Sequence, residues 1–349
     1  MDKEIIKKII EAGNHAPSGG NSQPWKFIVK NNVIQIIALP ENDHRILNFK
    51  NRGTYIAHGA LIENIDITSR ALGYEPKFEL FPKTNVSTSV TFYPLNGTRE
   101  VDLYSYIFQR HSNRKSFKTE PLSQKEKEYI FQDVNKFPQC ELSVVEGEDI
   151  HRVAENVAFD TVINLQNQLL HKLLFQEIIW KEEEQKYRSG LYVKTMEVTP
   201  PKAFVFGLLK HWKIAQLFNK LKIPQKIHTE STKTMSSSGL FGAIVVSNDD
   251  KSFIHAGRLM ENIWLRTAKL GLGFHLITGV VFYWQQINLG DNKIFSVEER
   301  NIINRAYENL SEIFKVKNRI IALTFRIGKA DKPSAVSYRR PSKIEWNDE

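Results

Sequence analysis

The sequence has one cysteine, Cys140, among its 349 residues. A single thiol cannot form an intrachain disulfide, and the first residues form no apolar signal core, so we expect a reducing, cytoplasmic location. The chain also lacks an apolar run long enough to span a bilayer. Its most apolar stretch, residues 203–218, is interrupted by Lys210, His211 and Lys213, so it can at most lie on a surface or close over a pocket.

Clustered basic residues are also absent, although the net charge is +9, from 48 Lys and Arg against 39 Asp and Glu. No long Lys/Arg run is interleaved with aromatic residues, so we expect no nucleic-acid partner, and we expect no membrane partner either. The ten histidines show no metal-ligand spacing, which predicts no metal site. The positive charge instead favours a small anionic ligand.

Apolar residues make up 41% of the chain and recur with alternating helical and strand spacing. This alternation predicts α+β or α/β layering. We predict helices around 5–13, 52–72, from 101, from 123, around 150–186, at 253–270 and at 297–314. We predict strands at 25–29, 33–39, 77–81, 89–93, 141–145, 242–247, 274–278 and 319–327, followed by a basic tail.

One helical sequence occurs twice in the chain. Residues 59–73 and 257–271 share Gly, Leu, Glu-Asn-Ile, Leu and Gly at equivalent positions. Two amphipathic helices could converge on such residues, but helical packing does not require Glu-Asn within an apolar frame. We favour two copies of one module, fused into an internal pseudo-dimer. We assign the first half to residues 1–100 and the second to residues 101–349, with an insertion at about 187–234.

The two copies differ in their polar segments. The amide loop, defined as residues 16–25, reads Ala-Pro-Ser-Gly-Gly-Asn-Ser-Gln-Pro-Trp and occurs only in the first half. The basic turn, defined as residues 110–114, reads Arg-His-Ser-Asn-Arg and occurs only in the second half. If an ancestral dimer shared two sites, this chain keeps one complete site made of both elements. We therefore predict one ligand per chain.

Each element has its own chemistry. Guanidinium groups in the basic turn can bind a phosphate through paired hydrogen bonds, although a solvated helix end explains the same residues. Ser18, Asn21 and Gln23 offer mixed donors and acceptors, and Gly19-Gly20 lets backbone approach a flat ligand. A purely structural turn is the alternative for this loop.

The pattern Ala-Pro-Ser-x-x-Asn-x-Gln-Pro-Trp, followed by Arg-x-Ser-x-Arg, resembles the nitroreductase family of FMN-dependent oxidoreductases. The single-chain arrangement is most similar to the Acg-type members, whose halves imitate the usual homodimer. The resemblance implies an α+β fold in which each half has a mainly antiparallel sheet flanked by helices. Because the pseudo-dimer is internal, we expect a monomer, with a homodimer as the alternative.

The same resemblance implies a divided FMN site. Its phosphate would be bound by Arg110, His111, Ser112 and Arg114, with Arg339 and Arg340 reaching it from the C-terminal segment; a disordered basic tail is the alternative. The flavin would be approached by Pro17, Ser18, Gly19, Asn21 and Gln23. The catalytic contact would come from backbone N–H groups of Thr278 and Gly279 near flavin N5, where a donor stabilises the reduced ring, and Ile277 beside them would bind the cofactor.

The implied activity is transfer of electrons from NAD(P)H through FMN to a small electron-poor acceptor such as a nitroaromatic or quinone. An FMN storage or sequestration protein with little turnover is the alternative, and a flavin-free scaffold is a third. Three features depart from the family pattern: His111 replaces a frequent second Arg, Gly19-Gly20 makes the loop more flexible, and the 187–234 insertion is long. We interpret the insertion either as a lid over the flavin or as an extra packing unit.

Overall fold

The computed structural model describes residues 1–43, 46–95, 102–290 and 293–347. Its α-helices are α1 Lys3–Asn14, α2 Arg52–Ala71, α3 Gln124–Phe131, α4 Asp149–Val157, α5 Phe159–Gln166, α6 Gln168–Glu177, α7 Pro200–Leu209, α8 Trp212–Lys220, α9 Ile223–Ser236, α10 Asp250–Lys269, α11 Gly279–Leu289 and α12 Val297–Ile313. Its strands are β1 Trp25–Lys30, β2 Val33–Ala38, β3 Tyr74–Lys83, β4 Val86–Pro94, β5 Cys140–Val145, β6 Ile178–Ile179, β7 Leu191–Tyr192, β8 Leu240–Val246, β9 Gly273–Ile277, β10 Ile320–Gly328 and β11 Ile344–Trp346.

Two large sheets, both mainly antiparallel, confirm the α+β class. The first has the strand order β11-β1-β2-β4-β3, and the second has the order β5-β8-β10-β9. The predicted hairpin forms between β1 and β2, with Lys30 opposite Val33 and Asn31 in the left-handed region at φ 54°. The predicted capping box also forms, since Ser123 and Glu126 satisfy each other's backbone N–H at the start of α3.

The two copies of the repeated helix, α2 and α10, pack against each other at their equivalent glycines. A Cβ atom added to Gly59 would lie 2.0 Å from the Ile254 carbonyl oxygen, and one added to Gly257 would lie 2.0 Å from that of Ile56. Gly59 and Gly257 are equivalent in the repeat, and so are Ile56 and Ile254. This reciprocity is the hallmark of a two-fold interface, here formed within one chain.

The repeated Glu-Asn residues of both helices lie at the same interface. Asn262 Nδ2 donates a hydrogen bond to Glu63 Oε1 at 3.0 Å. In the reverse direction, Asn64 lies beside Glu261 and favours its charged form, although burial raises the pKa of Glu261 by more. Arg258 completes the first pairing, with Nε donating to Glu63 Oε2 at 3.0 Å. The reciprocal glycine contacts and the Asn262–Glu63 bond support the pseudo-dimer over chance convergence of two amphipathic helices.

The prediction of one helix over 150–186 is wrong. The segment forms α4, α5 and α6, followed by the short strand β6. The break before α6 is made by Asn167, whose extended backbone (φ −84°, ψ 119°) lets its side chain accept from the backbone N–H groups of Leu169 and Leu170. Single-residue breaks of this kind leave the apolar spacing unchanged, so periodicity does not reveal them.

Several elements were not predicted, including α11, β11 and the short strands β6 and β7. Helix α11 follows β9 directly, and β11 forms within the predicted basic tail. Strand β11 pairs in parallel with β1, with Phe27 opposite Ile344, so the end of the chain joins the first sheet. The short helix predicted from Val101 is a 3-10 turn at Tyr104–Phe108. Val101 itself and the predicted boundary between the halves lie outside the described residues.

The insertion contains β7, α7, α8 and most of α9. Leu209 and Ala215 are buried against Leu165 of α5, in a small core separate from the main one. Within the described ranges, no helix combines the length and the apolarity needed to cross a bilayer.

We expect Gly59→Ala to destabilise the protein by about 1–3 kcal/mol or more, because the new methyl group would overlap the α10 backbone. The matched control is Gly207→Ala in α7, where an added Cβ would lie 3.8 Å from Trp180, an ordinary contact. That variant should be neutral or gain up to about 1 kcal/mol from helix propensity. Urea unfolding measures both, and equal stability of Gly59→Ala and the wild type would show that α2 and α10 do not cross here.

Candidate anion-binding and cofactor site

The amide loop and the basic turn meet at one cavity. The volume open to water-sized molecules is about 70 Å³. The cavity is lined by Pro17, Ser18 and Asn21 of the loop, Arg110, His111, Ser112 and Arg114 of the basic turn, Leu191 and Thr195 of the insertion, and Ala335, Val336, Ser337 and Arg339 of the C-terminal segment. Eight of these are residues that the sequence assigns to a cofactor site.

The amide loop owes its shape to backbone in the left-handed region. Gly20, Asn21 and Gln23 have φ values of 53°, 53° and 47°. Asn14, at the end of α1, fixes the loop: its Oδ1 accepts from Gln23 Nε2 at 3.0 Å and from Trp25 Nε1 at 2.9 Å. Asn14 is buried, so it holds the loop through hydrogen bonds protected from water.

The C-terminal segment lies across this loop. Asn21 Nδ2 donates to the Tyr338 carbonyl at 2.8 Å, and Arg339 Nη1 donates to Asn21 Oδ1 at 2.5 Å. The Arg340 backbone N–H donates to Gln23 Oε1 at 3.0 Å, and Arg340 Nη2 donates to the Ser22 carbonyl at 2.7 Å. Gln23 and Arg340 therefore bind each other and clamp the segment, and neither lines the cavity.

Arg110 borders the cavity from a buried position. Its side chain is 2% exposed, and its Nε lies 2.9 Å from Oε1 of the fully buried Glu261. Its Nη2 donates to the His15 carbonyl at 2.5 Å, and its guanidinium lies over the Trp264 ring at 4.5 Å. Burial lowers the pKa of Arg110 and raises that of Glu261 to about 7. The repeat glutamate of α10 thus orients the first arginine of the basic turn.

Arg114 and Arg339 carry charge that the chain balances less completely. Arg114 Nη1 donates to the Thr195 carbonyl at 3.1 Å. The Glu197 carboxylate stabilises the charged form of Arg114, but burial has the larger effect and lowers the pKa of Arg114. Burial, followed by repulsion from Arg110, lowers the pKa of Arg339 to about 9. Such lowering means that the charged forms lack sufficient solvation or counter-charge. An anion in the cavity would supply that counter-charge.

Arg326 adds a buried cation that the sequence analysis missed. It is completely buried in β10, and its Nη2 donates to the Lys115 carbonyl at 2.7 Å. Its Nε donates to Nδ1 of His275 at 3.1 Å, so His275 is neutral there and is a structural partner. Burial, then repulsion from Arg114, lowers the pKa of Arg326 to about 9. The signal in the sequence was an arginine within the largely apolar strand Ile320–Gly328, which indicates a buried cation.

Other predicted residues do not line this cavity. Thr278 and Gly279 begin α11, where a Cβ on Gly279 would lie 2.5 Å from Asp160 Oδ2. Burial raises the pKa of Asp160 to about 6. Ile277 is buried in β9, and Gly19 faces Asp43 rather than the cavity. Contact of these residues with a flavin stays a prediction.

The first 47 residues, which contain α1 and the amide loop, match the model of the nitroreductase family. The opening segment is nitroreductase-like. This match confirms the resemblance that the loop motif predicts.

The other comparisons cover more of the chain at low identity. An uncharacterised protein of Mycobacterium tuberculosis is 21% identical over 337 residues, which are 95% of this chain and 47% of that protein. The chain therefore spans about half the length of this curated relative. Solved structures that are similar to this chain include the FMN-dependent nitroreductase NfnB of Mycobacterium smegmatis in complex with NADPH (14% identity, 67% of this chain, 90% of that chain, TM-score 0.37). Another is a nitroreductase of Desulfitobacterium hafniense with bound FMN (10%, 67%, 93%, TM-score 0.38).

A buried histidine, His58, supports the amide loop through a hydrogen bond to Pro24. His58 of α2 is fully buried; its Nε2 donates to the Pro24 carbonyl at 2.9 Å, and its Nδ1 lies 2.5 Å from Ser87 Oγ. The tautomer follows from these partners, because a carbonyl can only accept. Burial lowers the pKa of His58 to about 4, although the hydrogen bond that His58 donates to the Pro24 carbonyl acts to raise it.

Because the folded pKa of His58 is lowered, its contribution to stability is present above about pH 6.5 and is lost as the pH falls towards 4. We expect His58→Gln to flatten the pH dependence of unfolding free energy in this window by up to about 1.4 kcal/mol per pH unit. Urea titrations at several pH values measure this slope. His151→Gln, at an exposed histidine, is the matched control and should keep the wild-type slope; an unchanged slope in His58→Gln would contradict the assignment.

Proposed function

We propose that this protein is an FMN-dependent oxidoreductase that takes electrons from NAD(P)H and passes them to a small electron-poor acceptor such as a nitroaromatic or quinone. The observation that carries the proposal is the meeting of the amide loop and three arginines, Arg110, Arg114 and Arg339, at one cavity. The nitroreductase-family match over residues 1–47 supports it.

The donors at the cavity fit the phosphate end of FMN. Guanidinium groups bind phosphate through charge-assisted hydrogen bonds, and the hydroxyls of Ser18 and Ser112 add neutral donors. Glu261 restrains Arg110 and leaves Arg114 and Arg339 as the freer cations. When bound, FMN would supply the ring that accepts hydride and delivers electrons.

The size of the cavity supports a movement of the chain on flavin binding. Its 70 Å³ holds roughly five waters, enough for a phosphate group but too little for a flavin ring. Leu191 and Thr195 of the insertion and residues 335–337 form the cover over the cavity. The Arg114 side chain is tied to this cover through the Thr195 carbonyl. A bound flavin therefore requires this cover to shift away from the amide loop.

The same cover favours a second candidate function. A protein in which this cover closes again over bound FMN would store or sequester it with little turnover. The two functions differ in whether a reduced nicotinamide reaches the bound flavin.

We expect the protein loaded with FMN to show a flavin absorption band, and we expect anaerobic addition of NADPH or NADH to bleach it. Bleaching supports the oxidoreductase. A retained yellow colour with both nucleotides would instead assign FMN storage. Failure of the protein to bind FMN at all would refute both functions.

We expect Arg114→Ala to weaken FMN binding about 10- to 100-fold, since one charge-assisted hydrogen bond contributes about 1.5–3 kcal/mol. Quenching of flavin fluorescence measures the affinity. Riboflavin, which lacks the phosphate, should bind wild type and variant equally, and Arg152→Ala, at an exposed arginine, should bind FMN normally. Full FMN affinity in Arg114→Ala would remove Arg114 from the phosphate site.

A further inference from the structure

We propose that the insertion docks the protein onto an anionic membrane surface. The docking element is the α7–α8 surface, defined by four exposed apolar residues and the lysines between and beside them. The apolar residues are Phe204, Val205, Leu208 and Leu217. The lysines are Lys202, Lys210, Lys213 and Lys220. This role goes beyond the proposed function, does not depend on it, and departs from our expectation of no membrane partner.

Charge is distributed one-sidedly in this part of the chain. Between Glu197 and Glu230 the sequence contains six lysines and no acidic residue. All six lysines are exposed. Lys202 pairs with Glu230, and α7 and α8 provide no carboxylate for the others. Anionic lipid headgroups attract lysines at about 1 kcal/mol each near the surface.

The exposed apolar residues lie among these lysines. Phe204 is 71% exposed and Leu217 is 55% exposed, and Leu208 lies one helical turn after Phe204. Isolated exposed apolar residues are ordinary, but several on consecutive helices with flanking lysines are typical of helices that lie in a membrane interface. Lysine stems can extend alongside such residues while the ammonium groups reach the headgroups.

The opposite sides of both helices are fixed to the protein body. Leu209 and Ala215 are buried with Leu165, and Phe206 packs on Phe175 with ring centroids 5.0 Å apart. The outward residues therefore cannot turn inward without breaking this small core. Their exposure is a property of the folded insertion.

The charge pattern also chooses between possible occupants. In a two-fold dimer the α7–α8 surface would meet its own copy and bring like charges together, which opposes association. A bilayer with anionic headgroups satisfies both parts of the surface, because lysines contact headgroups and apolar side chains enter the acyl boundary. Neither helix is long enough to span, so the mode is peripheral.

Vesicle flotation of the full chain tests this proposal. We expect binding to vesicles of phosphatidylcholine mixed with phosphatidylglycerol, much weaker binding to phosphatidylcholine alone, and loss of binding at high salt because screening weakens the attraction. Absence of binding to the mixed vesicles overturns the proposal, whether or not a protein partner is later found. Equal, salt-insensitive binding to both vesicle types also overturns it.

Variants locate the contact. The double variant Phe204→Ser, Leu208→Ser should bind about tenfold more weakly through lost apolar burial. Lys213→Ala and Lys220→Ala should each lose about fivefold. The controls are Val297→Ser, at an apolar residue 63% exposed on α12, and the exposed Lys317→Ala; both should bind as wild type. Unchanged vesicle binding of the double variant overturns the proposal. The proposal is also overturned if the wild type is a dimer that does not bind vesicles and the double variant is a monomer.

Discussion

The close crossing of α2 and α10 is the contact on which the rest of the structure depends. It brings the two halves together at Gly59 and Gly257, where neither residue has room for a side chain. Only this approach allows Glu63 to reach Asn262 and Glu261 to lie beside Asn64. Arg258 lies beside Glu63 and Arg110 lies beside Glu261, so each carboxylate, which would be costly to bury alone, has a cation next to it. The crossing therefore sets both the register of the halves and the location of the buried charges.

The candidate site lies next to that crossing and shares a residue with it. Glu261 belongs to the α10 interface and simultaneously holds Arg110 of the basic turn. Arg110 reaches the carbonyl of His15, which directly precedes the amide loop, so a residue from the second half supports the loop of the first. The candidate site is thus not an independent pocket added to the fold. It is the edge of the pseudo-dimer interface, where the arginines outnumber the carboxylates that face them.

The insertion gives the protein two surfaces that a minimal pseudo-dimer would lack. On its inner side, Leu191 and Thr195 cover the cavity and hold Arg114. On its outer side, α7 and α8 present lysines and exposed apolar residues to solvent. The C-terminal segment completes the cover and continues into β11, which pairs with β1 beside the amide loop. The two ends of the chain are therefore coupled at the site.

The sequence alone determined the duplication, the amide loop and the basic turn, because repeated residues and turn chemistry are local properties. Periodicity left α+β and α/β layering open, and the family resemblance selected α+β. From the asymmetry of the two copies the sequence also predicted that loop and turn share one site. Only the tertiary structure decided which cations face the cavity. It separated Gln23 and Arg340, which clamp each other, from Arg114 and Arg339, and it revealed Arg326 and β11. Those outcomes depend on which surfaces meet after folding, and a buried arginine or an added strand acquires its partner only from residues far away in the chain.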